Sequence, residues 1–190
     1  IISYCQKKYQ AVQDKDYPPI IMYSLPLTGT DERGIINEDL VLNEFLREIS
    51  KLEKYGANFI VIPCNTLHIF NDKLRKNSNI PIISIIEEIG KAIVPKKIKK
   101  IGLLASEFTY KHTIFEKELN KNGITIISPT NQQQKLITKA ILNVMSGTHS
   151  KKDKANLLGI MNKMKKVGAK AIVLGCTELP LVFPKNYSLS

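Results

Sequence analysis

Cys64 and Cys176 are the residues of this 190-residue chain with the most to say about chemistry, because they stand at matched places 112 residues apart. A thiol is a proton donor and its thiolate a base. Two of them on opposite faces of one carbon could remove a proton from one side and return one on the other, then exchange roles. Each is followed by small polar groups able to hold a charged ligand: Asn65 and Thr66 after the first, Thr177 after the second. A lone cysteine at a strand end is more often a small buried hydrophobe. Two at equivalent positions are better read as a working pair. The third, Cys5, is read as a helix-face residue. An odd number of cysteines with no C-x-x-C pair argues against a disulfide scaffold and a structural zinc site.

The matching is a duplication. Lys54-Tyr-Gly-Ala-Asn-Phe-Ile-Val-Ile-Pro-Cys64-Asn-Thr-Leu67 aligns with Lys166-Val-Gly-Ala-Lys-Ala-Ile-Val-Leu-Gly-Cys176-Thr-Glu-Leu179, with lysine, Gly-Ala, Ile-Val, cysteine and leucine in register. Each copy reads as an amphipathic helix closed by glycine, then a short apolar strand ending at the cysteine. The run from Asn58 to Pro63 has no polar face, as expected of a strand buried on both sides.

Around these cores, helices are expected over 1–12, 37–55, 67–75, 85–93, 110–122, 133–145 and 152–167. Strands are expected over 19–23, 80–83, 100–105 and 124–128. Alternation of this kind predicts an α/β protein of two pseudo-symmetric lobes, each a parallel sheet flanked by helices, with the active site in the cleft between them. In such sheets ligands collect beyond the carboxyl ends of the strands, where both cysteines fall. The lobes are expected at 1–95 and 96–190. The second half opens with a strand and loop, Ile101-Gly-Leu-Leu-Ala-Ser106, that has no counterpart in the first, and Cys176 lacks the return segment that follows Cys64. The sequence is therefore expected to be a fragment, natural deletion being the alternative.

Net charge is +11, which raises the question of a nucleic-acid partner. Arginine occurs only at Arg33, Arg47 and Arg75, so the charge is almost all lysine, spread along the chain; a solvated surface is expected, with neither nucleic acid nor membrane as partner. No apolar run approaches the ~20 residues of a membrane span, and no leader is recognisable at Ile1–Cys5. A cytoplasmic protein is expected.

Pro63-Cys64-Asn65-Thr66-Leu67-His68 and Gly175-Cys176-Thr177-Glu178-Leu179 resemble the paired cysteine motifs of the aspartate/glutamate racemase superfamily. Glu178, where glutamate racemases usually carry histidine, makes the likeness nearest to aspartate racemases. The resemblance implies racemisation of an acidic amino acid by Cys64 and Cys176, no pyridoxal phosphate or metal cofactor, and a homodimer. It also implies substrate contacts from Asn65, Thr66, Thr177, Ser24, Ser106, Thr109 and Arg33, with His68 and Glu178 in support. His112 and His149 are read as surface residues, and Met161 and Met164 as helix core. Maleate isomerase, hydantoin racemase or a non-catalytic amino-acid-binding homologue are the alternatives.

Overall fold

The computed structural model describes residues 1–31 and 33–183. In chain order these form α1 (Ile2–Tyr9), the short strands β1 (Thr30–Asp31) and β2 (Gly34–Ile35), α2 (Glu38–Lys54), β3 (Ile60–Val61), α3 (Asn71–Lys76), β4 (Ile82–Ile83) and α4 (Ile85–Ile93). The second half adds β5 (Lys100–Ala105), α5 (Glu107–Lys111), α6 (Ile114–Leu119), β6 (Thr125–Ile127), α7 (Asn131–Met145), α8 (Lys151–Lys166) and β7 (Ala171–Gly175). The architecture is the expected two-lobed α/β arrangement, with parallel pairing in both lobes: β3 with β4, and β6-β5-β7.

The second lobe is the more complete. β5 sits centrally, buried on both faces, with Ile101, Leu103 and Ala105 turned to α6 and Leu104 to α7 and α8. The alternation is that of a pleated strand between two helical layers. Met161 and Met164 lie in the α7–α8 core as expected. A Cβ on Gly102 would fall 2.7 Å from both Ile172 and Met164, so glycine is what lets α8 approach the sheet.

The first lobe departs from expectation in two respects. Residues 19–23 form no strand and are exposed. β3 is buried on one face only: Ile60 and Ile62 point into a core with Val41, Phe70 and Leu74, while Phe59 and Val61 on the other face are bare. The apolar run was legible, but burial needs a covering layer, and among the described residues that face has none.

Two expected helices are also broken. Residues 67–75 divide into a 3₁₀ turn, Thr66–Phe70, and α3. The span 110–122 divides at Thr113, whose φ of 50° lies in the left-handed region and turns the chain between α5 and α6. The halves share a core, for Ile86 and Ile93 of α4 pack with β5, Phe115 and Leu119.

Candidate active site

Cys64 and Cys176 line one cleft. Each follows a parallel strand whose backbone is fixed by ladder hydrogen bonds, β3 against β4 and β7 against β5, so both thiols are carried on rigid elements. The cleft holds about 200 Å³, below the ~300–1,000 Å³ of typical drug-sized pockets, which suits a small ligand. Asn65, Thr66, Thr177, Ser106, Arg33 and Glu178 also line it.

The two thiols have different surroundings. Burial pushes the Cys64 thiol up, partly offset by the backbone N–H groups of Leu67 and Thr66. Burial pushes Cys176 up further, and Glu178 adds to it. The Cys176 thiol donates to Glu178 Oε2 at 2.8 Å, and the Thr177 hydroxyl donates to the same oxygen at 3.0 Å. A carboxylate acceptor favours the protonated thiol over the thiolate. Cys176 is thus held more firmly in its protonated form than Cys64.

Asn65 is buried and its Oδ1 has no hydrogen-bond partner. A buried acceptor without a partner is costly, on the order of 1–3 kcal/mol, so this atom is poised for a donor brought by a ligand. The Thr66 and Ser106 hydroxyls lie 3.4 Å apart and join the two halves across the cleft. Ser106 caps α5 and lies 2.9 Å from the buried Thr109 hydroxyl. Thr109 therefore stands behind Ser106 and does not line the cleft.

His68 is buried behind Cys64. Its Nε2 accepts the Ile85 N–H at 3.1 Å, so the ring proton sits on Nδ1, 2.9 Å from the Cys64 carbonyl oxygen. The ring braces the backbone of Cys64 against the start of α4. Burial holds its pKa below the ordinary histidine value. Ser24 is exposed and does not line the cleft.

One wall of the cleft shows no strand signal in the sequence, although the resemblance implied a contact from its Arg33. β1 and β2 pair antiparallel as a hairpin that contributes Thr30, Asp31, Arg33, Gly34 and Ile35 to the lining. Asp31 Oδ1 accepts from the backbone N–H groups of Arg33 and Gly34, which fixes the turn. The buried Glu44 of α2 takes the Thr28 N–H and hydroxyl and anchors the approach to the hairpin. Gly34 abuts Phe108 of α5, on which His112 stacks at 4.0 Å. His149 is exposed and Cys5 buried. Among the described residues, no group of three or more His, Cys, Asp or Glu side chains could hold a metal ion, and no helix is long and apolar enough to cross a membrane.

A family model described as Asp/Glu/Hydantoin racemase matches residues 2–187. The chain belongs to this family. As a member of the Asp/Glu/hydantoin racemase family, it is 32% identical over 182 residues to the broad specificity amino-acid racemase RacX of Bacillus subtilis strain 168, a match covering 96% of this chain and 78% of that protein. It is 25% identical over 151 residues to a glutamate racemase of Aquifex pyrophilus, spanning 57% of that protein's length. Among solved structures, an aspartate racemase homologue from Pyrococcus horikoshii OT3 superposes with a TM-score of 0.78 at 22% identity, covering 97% of this chain and 81% of that one. The aspartate racemase of Picrophilus torridus gives 0.76 at 22%, covering 96% and 77%. At these identities the likeness is one of fold, and the fold is that of two-lobed racemases.

Proposed function

We propose that the chain racemises an acidic amino acid, aspartate or glutamate, by two-base proton transfer between Cys64 and Cys176. The observation that carries the reading is the meeting of two thiols, each at the end of an equivalent strand, in one small cleft of a racemase-family chain.

In the proposed reaction the Cys64 thiolate takes the α-proton, forming S–H and leaving its electron pair on the α-carbon as a planar carbanion. Cys176 delivers its proton to the opposite face and becomes the thiolate. The product leaves with inverted configuration and the two cysteines have exchanged states, ready for the enantiomer. The α-proton is far less acidic than a thiol of pKa ~8.5, so the developing charge needs fixed donors and a site closed to water. Asn65 Oδ1 is suited to the ammonium, the Thr66, Ser106 and Thr177 hydroxyls to the α-carboxylate, and Arg33 to the side-chain carboxylate. Leu27, Ile35 and Leu67 supply the apolar wall. His68, Thr109 and Glu178 act through the residues they hold. A homodimer in a reducing cytoplasm fits this reading, and light scattering tests the dimer.

The test is deuterium exchange at the α-carbon, followed by proton NMR, with L- and D-aspartate and glutamate and no added cofactor. Exchange with inversion is expected in the parent. General acid–base groups contribute roughly 10²–10⁴-fold, so Cys64→Ala and Cys176→Ala should each lose inversion by at least that factor, with residual exchange favouring opposite enantiomers. Equal inversion by either variant would sink the mechanism. Turnover of many neutral amino acids would align the chain with its broad-specificity Bacillus relative.

A further inference from the structure

Lysines that lie far apart along the sequence are gathered by the fold. β5, β6 and β7 run parallel, so their amino ends stand together at the end of the second lobe away from the cleft. Three stretches meet there: 94–100 leads into β5, 120–125 into β6, and 163–170 closes α8 and leads into β7. They carry nine lysines and no aspartate or glutamate. Backbone pairing holds them side by side, for the Lys99 carbonyl accepts the Thr125 N–H at 2.8 Å and the Lys100 carbonyl accepts the Lys170 N–H at 2.9 Å. The Lys99 ammonium lies over the turn at Gly123 and the Lys100 side chain over the turn at Gly168, where an added Cβ would stand 3.6 Å and 3.5 Å away. Lys121 pairs with Glu118. Among the described residues no ion pair engages Lys96, Lys97, Lys99, Lys100, Lys166 or Lys170.

The duplication shows that this charge belongs to one lobe. In the equivalent stretch of the first lobe, 51–58, Glu53 stands where the second has Lys165, and Asn58 where it has Lys170. Glu53 accepts from the Ser78 hydroxyl and from the backbone and side-chain N–H groups of Asn79, so a carboxylate closes that end. The second lobe presents its end to water. All nine lysines are exposed, and among them Val94 and Val167 are bare, at 45% and 63% exposure.

Ammonium groups on long stems around exposed aliphatic side chains match a surface of anionic headgroups above acyl chains. We propose that this end of the second lobe docks on an anionic phospholipid bilayer. The strands set the orientation. β5 spans roughly 17 Å from Lys100 to Ala105, about twice the Debye length of physiological salt, so a docked molecule keeps its cleft facing solvent. Nucleic acid is the competing polyanion. The arginine forks and stacking aromatics that serve such ligands are absent from all three stretches.

The probe is sedimentation with vesicles of phosphatidylcholine alone, or with phosphatidylserine as one lipid in three. Partition onto the mixed vesicles should be at least tenfold stronger than onto phosphatidylcholine and should disappear in concentrated potassium chloride. A lysine near an anionic surface strengthens binding roughly fivefold, so Lys97→Glu/Lys99→Glu should lose at least tenfold. Lys73→Glu/Lys76→Glu, with the same net charge but altered on the exposed face of α3, should lose less than half as much. Thermal melts of both variants check that they are folded. Hydrogen exchange on the mixed vesicles should slow over 94–100 and 120–125 and stay unchanged over 30–35, in the cleft wall. Equal partition onto both vesicles, equal loss in the two variants, or protection centred on the cleft would overturn the proposal. So would tighter binding to duplex DNA than to the mixed vesicles, weakened by the Lys97/Lys99 change, since the surface would then belong to nucleic acid. These readouts are independent of racemase activity.

Discussion

At the scale of single residues, the site separates groups that face the cleft from groups that act on the backbone behind it. His68 is of the second kind. Its neutral ring is required, because Nε2 must accept the Ile85 N–H while Nδ1–H faces the Cys64 carbonyl. Protonation would set one N–H against another. Its pKa is lowered in the fold, so its contribution to stability is present above the unfolded value of ~6.5 and is lost as pH falls through the lower folded value. The His68→Gln protein should be less stable at pH 7 by ~1–3 kcal/mol, the cost of buried groups losing a partner. The gap between the two proteins should narrow as pH falls from about 7 to 5. Parallel denaturation curves across that range would show that the ring's charge state is immaterial. The role was hidden from the sequence, which placed His68 near Cys64 without saying that it faces the carbonyl and not the thiol.

At the scale of elements, legibility followed length and repetition. The helix expected over 37–55 is α2, Glu38–Lys54, with Asn37 as its cap. The strand expected at 100–105 is β5. The helix is long enough for its period to show, and the strand stands out as an apolar run between Lys100 and Ser106. The hairpin of β1 and β2 was not legible, because two-residue strands carry no period. It is nevertheless the wall that brings Arg33 into the cleft. The hairpin depends on Gly34, whose φ is 145° and whose added Cβ would meet Phe108 at 2.8 Å. Gly34→Ala combines backbone strain with that clash, at a cost of ~1–3 kcal/mol. We expect the cost to appear as displacement of the hairpin: kcat/KM for the proposed acidic substrate should fall roughly tenfold, the equivalent of ~1.36 kcal/mol, mostly through KM. A variant with unchanged KM would show that this wall does not touch the substrate. Residues 19–23 were misread as a strand because an apolar run shows β-preference but not the neighbour needed to realise it.

At the scale of the whole molecule, a net charge of +11 surrounds a cleft proposed to take an anion. The field of a strongly charged protein raises the encounter rate of an oppositely charged ligand, and salt removes the effect as the Debye length falls from ~10 Å at 0.1 M to ~3 Å at 1 M. With aspartate or glutamate as substrate, kcat/KM should fall severalfold on adding 1 M potassium chloride while kcat changes little. A flat salt profile would assign the lysines to solubility alone. The core shared by α4 and the second lobe has a different consequence, one for biosynthesis. A ribosome delivers the chain from its first residue, so the apolar stripe of α4, with Ile86 and Ile93, emerges before Phe115, Leu119 and Ile124, against which it packs. Until residues 114–124 have been translated, most of that stripe's native partners are missing. The nascent first half must therefore wait, sticky and unfinished, for the second half to arrive, and slowing elongation across 95–125 would lengthen its exposure to chaperones and to aggregation.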